Sequence, residues 1–292
     1  MLSPVLIWPH FDPQTVAGER RVQRRLKHVS PTVIEAQSAL ALVSGVFGID
    51  TPPAAALTRL AEGRPVGSAW FMAEPVILTP DRDRLLLRRL GEDGLSTSES
   101  RALIDTSHEH FPETELRLEW AGPGHWYARL DGAEPRSGLP AEMAEGTAIE
   151  ATPGIFGVNA DGMRVLNELQ MLWYEHPVNR ARQAAGRLQA NALWVWGGGA
   201  LPPAPPRVAA RMLAARSAEL DGLAQWLDLE RREPDAALDK GIEPGLVAVI
   251  GAGEDTLGRR WLTAFARQRG AFRLFGAGRM WDVPRRRFWQ RW

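Results

Sequence analysis

The sequence predicts a mixed α/β fold, a mixed sheet with flanking helices. Three observations carry that prediction. Short apolar runs bounded by Pro, Gly or Asp read as buried strands; longer segments with apolar residues at three-and-four spacing read as helices; and 45% apolar with 24% charged residues over 292 positions is an ordinary globular balance.

The run Val5 to Trp8, closed by Pro9, is expected to open the fold as a buried strand. The basic segment that follows, ERRVQRRLKH, reads as solvated surface. Ser30-Pro31 is expected to start a helix, because serine caps well, proline suits the first turn, and Ile34, Leu40 and Val43 keep a loose helical spacing. From Ser68 to Leu87 the apolar triplets WFM, VIL and LLL, arranged around Pro75 and the turn-like Asp81-Arg82-Asp83-Arg84, predict a hairpin. Ser96 to His108 has helical spacing after a serine-rich start, and Leu116 to Arg129 reads as two strands split by Ala121-Gly122-Pro123-Gly124.

Asp131 to Gly154 is rich in Gly, Pro, Ala and Glu and has weak periodicity. The chain is therefore divided there, into an N-terminal α/β region over 1–130, a linker or long loop over 131–154, and a second α/β region over 155–292. In that region Val165, Leu166, Leu169, Leu172 and Trp173 share one helix face; Pro177 ends that helix and Gly186 a short second one. Ala192 to Trp196 reads as a buried strand running into Gly197-Gly198-Gly199. Beyond the proline-rich turn from Pro202 to Pro206 come two helices over 207–228, a strand at Leu246 to Ile250, a helix to about Arg267 and a last strand near Phe272 to Phe275.

Composition narrows the function classes. Basic and acidic residues are equal at 35 each, so no global field attracts polyanions and nucleic acid is an unlikely partner. All the basic residues except Lys27 and Lys240 are arginine, which suits bidentate phosphate recognition and equally suits a GC-rich coding bias. With no cysteine there is no disulfide framework, thiolate nucleophile or cysteine-based metal site. The N-terminal residues lack a basic n-region, and the longest apolar stretch, Ala39 to Ile49, is well short of the roughly 20 residues that a spanning helix needs. A cytoplasmic protein with no membrane span is expected.

The main chemical cluster runs from Glu175 to Gly199. Polar side chains there sit at helix ends and beside a Gly-rich strand end, where open α/β sheets usually hold ligands. Arg180, Arg182 and Arg187 could fork onto a phosphate or carboxylate, and Asn179 and Asn191 could read hydroxyls. His176 could orient a ligand, or act as general acid/base if Glu168 or Glu175 points toward it. The opposing expectation is structural: Asn179 as a turn or cap residue, the glycines as a connector, both asparagines saturated by main chain.

The stretch NELQMLWYEHPVNRARQAAGRLQANALWVWGGG resembles the corresponding stretch of RpfE-type bacterial regulatory proteins, which are phosphoglycerate mutase-like. Ala73 to Leu87, AEPVILTPDRDRLLL, resembles the same family, as does the Arg/Trp-rich C-terminus, so this likeness spans most of the chain. More distantly, His176-Pro177, Asn179, Arg182, Gly186, Ala190-Asn191, Trp194, Trp196-Gly197 and Gly199 resemble a segment of archaeal-type cofactor-independent phosphoglycerate mutases. The mutase resemblance implies a reduced alkaline-phosphatase-like core and, for full activity, two metal ions and a serine that is transiently phosphorylated. This chain departs from that pattern. Pro9-His10-Phe11-Asp12 stands where an Asp-Gly pair belongs, and no histidine follows His176.

The resemblance thus implies a regulatory or small-anion-binding protein, with a small anionic metabolite or a regulatory protein as partner and with no metal and no cofactor. Its ligand side chains are expected at Asn179, Arg182, Asn191, Gly197, Gly198 and Gly199, with His176 the catalytic candidate if the chain is instead an enzyme on a phosphorylated or carboxylated metabolite. Four further features are expected to be structural. Asp105, His108, His110 and Glu113 form a solvated acidic patch rather than a zinc site. GAGEDTLG, Gly251 to Gly258, is an ordinary strand-to-helix turn. The tail RMWDVPRRRFWQRW packs its tryptophans back on the body, and Trp194 and Trp196 share one side of a strand as core.

Overall fold

The computed structural model describes residues 2–11, 19–35, 37–66, 70–81, 84–91, 94–131, 139–146, 148–149 and 159–285. Along the chain lie β1 (Val5–Ile7), α1 (Arg20–Leu26), β2 (Thr32–Val33), α2 (Ala39–Phe47), α3 (Ala54–Ala61), β3 (Trp70–Asp81), β4 (Arg84–Arg89), α4 (Thr97–His110), β5 (Leu116–Gly122), β6 (His125–Leu130), α5 (Ala141–Ala144) and β7 (Ala148–Ile149). They are followed by α6 (Ala160–Tyr174), α7 (Pro177–Ala184), β8 (Ala192–Gly199), β9 (Met212–Ala214), α8 (Ala218–Trp226), β10 (Glu230–Arg232), α9 (Pro234–Lys240), β11 (Leu246–Val249), α10 (Asp255–Arg267), β12 (Phe272–Gly276) and β13 (Arg279–Val283). Two compact units result: Met1–Pro52 with Leu60–Gly63 and Pro202–Trp292, and Pro53–Arg59 with Arg64–Leu201.

The first unit is built on a mixed sheet in the order β10-β9-β11-β1-β12-β13-β2. Its first five strands are parallel, and β13 and β2 run antiparallel at one edge. Strands β1, β9 and β11 are buried, and their continuous apolar sequences follow from that, whereas the edge strand β10 is charged and largely exposed. On α10, Leu257, Trp261, Leu262 and Phe265 are buried, the three-and-four spacing of a helix laid on a core. Gly258 permits this closeness, since a Cβ there would come within 2.6 Å of the Trp8 ring.

Three sequence expectations in this unit are corrected. Ser30-Pro31 does not start a helix: Thr32-Val33 pairs with β13, and α2 begins only after Ser38, whose hydroxyl accepts from the Ala41 N–H at 3.2 Å. One of the two helices placed over 207–228 is the buried strand β9, flanked by β10 and β11, where burial on both faces removes the two-residue alternation that marks a strand. The basic segment around α1 is not wholly solvated. Val22 is buried, and Arg25 donates to the Gly270 carbonyl at 2.9 Å while its guanidinium lies 5.2 Å from the Phe272 ring centre.

The second unit carries an antiparallel sheet, β5-β6-β3-β4-β7, with β8 paired to β3. The hairpin β3–β4, the pair β5–β6 and the helices α4, α6 and α7 match the sequence expectation. Ser96 closes a capping box on α4, its hydroxyl accepting from the Glu99 N–H while the Glu99 carboxylate accepts from the Ser96 N–H at 2.7 Å. Helix α4 packs on β5 and α6 on β8, enclosing Leu103, Leu118, Trp126, Leu169, Trp173 and Trp194. The sequence boundary at 131–154 falls largely on residues outside those described. The described residues that flank it, 94–131 and 159–201, belong to this one unit, in which β8 is a ladder partner of β3.

Candidate functional site

The cluster from Glu175 to Gly199 begins where α6 stops. Pro177 cannot continue that helix but suits the first position of the next, and His176 becomes the N-cap of α7. The His176 Nδ1 accepts from the Val178 N–H at 3.1 Å, and its Nε2 lies 3.0 Å from the Thr106 hydroxyl. The first bond requires a lone pair on Nδ1, so the neutral ring carries its proton on Nε2 and donates it to Thr106. Burial pushes the imidazole pKa below its ordinary value, which favours this neutral form. Neither nearby acid is a partner: Glu168 pairs with Arg164 at 3.1 Å and Glu175 is exposed.

Asn179 is fully buried on α7. Its Nδ2 donates to the Trp173 carbonyl at 2.8 Å and the Ala190 carbonyl at 2.7 Å, and its Oδ1 accepts from the Ala190 N–H at 3.1 Å. Asn191 repeats the arrangement: Oδ1 accepts from the Leu78 N–H at 2.8 Å and Nδ2 donates to the Leu78 carbonyl at 2.9 Å. Each carboxamide thus pairs with the main chain of one residue as a strand neighbour would. Asn191 thereby extends the β3–β8 ladder past Val76, whose carbonyl already accepts from the Asn191 N–H.

Arg182 is 1% exposed. Its Nε donates to the Leu188 carbonyl at 2.6 Å, and Nη1 lies 3.2 Å from both Glu99 carboxylate oxygens. Partial burial pushes Glu99 upward, but the Ser96 N–H and the Arg182 guanidinium outweigh it and hold the carboxyl below its usual range. Arg187 adds a contact to Glu99 at 3.4 Å and to the Gly94 carbonyl at 3.1 Å, whereas Arg180 is exposed.

The triple glycine has a packing cause. Gly198 lies against the buried Phe71 ring, where a Cβ would come within 2.0 Å; Gly197 has φ +60° and would place a Cβ 2.8 Å from that of Ala54. The β3–β8 register shifts at this point, between Trp70 and Met72. The structure therefore brings together His176, Asn179 and Arg182 around α7 and places Asn191 and the glycines along β8. It commits their polar atoms to main chain, Thr106 and Glu99, and a ligand at this cluster would have to displace those bonds.

A curated relative is similar over much of this chain: a probable 2,3-bisphosphoglycerate-independent phosphoglycerate mutase from Geobacter sulfurreducens, 29% identical over 208 residues, which are 66% of this chain and 49% of that protein. The chain is a distant homologue of cofactor-independent phosphoglycerate mutases. A second relative, the 2,3-bisphosphoglycerate-independent phosphoglycerate mutase of Methanosarcina barkeri, is 33% identical over 119 residues, 38% of this chain and 29% of that one. The chain thus spans about half or less of the length of these relatives. No protein-family model matches it. Among solved structures, the PH0037 protein of Pyrococcus horikoshii shares the fold at a TM-score of 0.50 and 13% identity, over 97% of this chain and 88% of that one. A cofactor-independent phosphoglycerate mutase from Thermoplasma acidophilum aligns over 97% of this chain and 90% of that chain at 19% identity and a TM-score of 0.42.

Against this homology the first unit holds a feature that sequence reading missed. At the carboxyl ends of β9, β10 and β11, where parallel sheets usually place ligands, Arg216 gathers the carboxylates of Glu233, Asp235 and Glu254. The three carboxylates raise the Arg216 pKa still further, and Arg231 and Arg216 together lower that of Glu233. Scattered over the segments that follow three different strands, these residues share no sequence motif; the only local signal is Glu254 inside GAGEDTLG. Among the described residues no group of three or more His, Asp or Glu side chains is arranged to hold a metal ion.

The remaining sequence candidates have simple places. His108 Nε2 accepts from the Leu118 N–H at 3.0 Å, and His110 lies 3.9 Å from Glu168. In GAGEDTLG the Gly251 N–H donates to the Glu254 carboxylate at 2.8 Å and Asp255 opens α10. Trp194 is wholly buried, with its indole N–H on the Leu139 carbonyl at 2.7 Å, so that face offers no stacking platform there. The start of the Arg/Trp-rich tail is strand β13, in which Trp281 is buried; Trp289 and Trp292 lie outside the described residues.

Proposed function

We propose that this chain binds a small anion on a mutase-related scaffold and does not transfer phosphoryl groups, serving a regulatory role like that of the RpfE-type proteins it resembles. The observation that carries this reading is the state of His176. Both ring nitrogens are engaged, by Thr106 and the Val178 N–H, and among the described residues no carboxylate is within hydrogen-bond reach to orient the ring or act as second acid/base. The ligand class follows from the distant homologues, whose names specify a phosphorylated three-carbon acid.

In this reading the Asn179, Arg182 and Asn191 cluster holds the fold of the second unit together, because its donors are already committed to main chain and Glu99. A thermal-shift screen of phosphorylated three-carbon acids, with and without manganese, tests the proposal alongside a coupled assay for phosphoglycerate interconversion. Expected are a metal-independent rise in melting temperature and no turnover. Turnover, or a shift that strictly needs manganese, would overturn it in favour of an enzyme.

A further inference from the structure

The first unit contains a cavity of about 570 Å³ beside α1 and β13, within the size range typical of small-molecule sites. Arg20, Arg24, Lys27 and Arg279 line it, and no carboxylate does. Its remaining wall is mostly apolar: Leu26 and Pro31, the largely buried Val22 and Trp281 at 1% and 4% exposed, and one polar side chain, Gln23.

Several arginines elsewhere in the unit are paired with carboxylates. Arg231 pairs with Asp221 at 2.7 Å, Arg260 with Asp235 at 2.9 Å and Arg273 with Asp282 at 2.6 Å, while Arg216 holds three carboxylates. The four cations of the cavity make no ion pair among the described residues. Three of them recur along one face of α1 at i, i+4 and i, i+7, a spacing at which like charges repel and weaken a helix. Solvation alone accounts for cations on a convex surface. Here they ring an apolar hollow, which gains from a ligand that is anionic at one end and apolar at the other.

We propose that this cavity binds a phosphorylated small molecule of nucleotide size, its phosphates met by Arg20, Arg24, Lys27 and Arg279 and its apolar or aromatic part laid against the wall of Val22, Leu26, Pro31 and Trp281. The proposal rests on the small-anion reading above and adds to it a place and a ligand class. A bare phosphate or a three-carbon acid would satisfy the cations but leave Leu26 and Pro31 uncovered, so it binds here more weakly than a larger ligand. A nucleic acid is disfavoured, because the chain as a whole carries no net charge to attract a polyanion.

The test is calorimetry on the full chain with ADP as probe, and with adenosine, inorganic phosphate, 3-phosphoglycerate and a short single-stranded oligonucleotide as comparisons. ADP is expected to bind at least tenfold more tightly than adenosine or phosphate, and more weakly as salt rises. The double variant Arg24→Gln, Arg279→Gln should weaken ADP at least tenfold with its melting temperature unchanged, and Arg269→Gln, another exposed arginine of this unit, should not. Should the double variant fold poorly, Arg20→Gln with Lys27→Gln gives the same reading from two exposed positions on α1. Anion binding that both double variants leave intact would overturn this location while sparing the small-anion proposal. Binding of none of the anions would sink both, and a preference for the oligonucleotide would overturn the ligand class.

Discussion

Asn179 and Asn191 use one property of the carboxamide group, a donor and an acceptor side by side with the geometry of a peptide bond. Asn179 reads the main chain of Ala190, and Asn191 reads that of Leu78. Truncation of Asn179 strands the Ala190 carbonyl and N–H, while the Trp173 carbonyl keeps the His176 N–H, so Asn179→Ala should cost on the order of 3 kcal/mol, measured by urea unfolding. A loss below about 1 kcal/mol would mean that the cavity admits water to those groups. His176 gives a second prediction, in pH. Burial holds its pKa below the value near 6.5 that an unfolded imidazole has. Between those two values the unfolded chain binds more protons, so stability falls as pH falls; above about pH 6.5 there is no effect, and below the folded pKa the loss levels off. The decline between about pH 7 and 5 should therefore be shallower in His176→Gln than in the parent protein. Equal slopes would show that burial imposes no such penalty.

Elements were legible in the sequence where their signals are local. The capping box Ser96–Glu99, the Asn159 cap of α6, the stop at Pro177 and the hairpin β3–β4 all rest on residues a few positions apart. Strand β9 was not legible, since Met212 to Ala214 has helix-favouring residues and becomes a strand only through β10 and β11. Strand β13 differs, since it pairs mainly with β12 across the two-residue turn Ala277-Gly278, a local signal, and only its pairing with β2 joins residues far apart in sequence. For the site, residue types were readable and partners were not: nothing near Asn191 announces Leu78, and nothing near Arg182 announces Glu99. The glycines of β8 make the same point in three dimensions. Gly198 faces the Phe71 ring, so Gly198→Ala should overpack the core and cost about 1–3 kcal/mol, with partial recovery on adding Phe71→Leu. If the double change is no better than the single one, strain in the β8 backbone and not the ring contact is the cause.

At the scale of the whole molecule, the two units differ in how the chain supplies them. The first joins β1 and β2, from the beginning of the sequence, to β9 through β13, from its end, so its central ladders close a very long loop. The second draws its described strands from a single stretch, with β3 paired to β4, β6 and β8, and encloses its own core. A stretch of about 150 residues is long enough to bury roughly two-thirds of the surface its unfolded chain exposes. A fragment of residues 53–201 is therefore expected to fold alone, with a cooperative urea transition followed by tryptophan fluorescence, since Trp126, Trp173 and Trp194 lie in its core. A chain ended at residue 201 should keep that transition and lose the first unit, which would lack β9 through β13. In the intact protein the first unit should refold more slowly, because its sheet cannot form until both ends of the chain have met. A non-cooperative fragment that binds a hydrophobic dye would show instead that the second unit depends on contacts from outside 53–201.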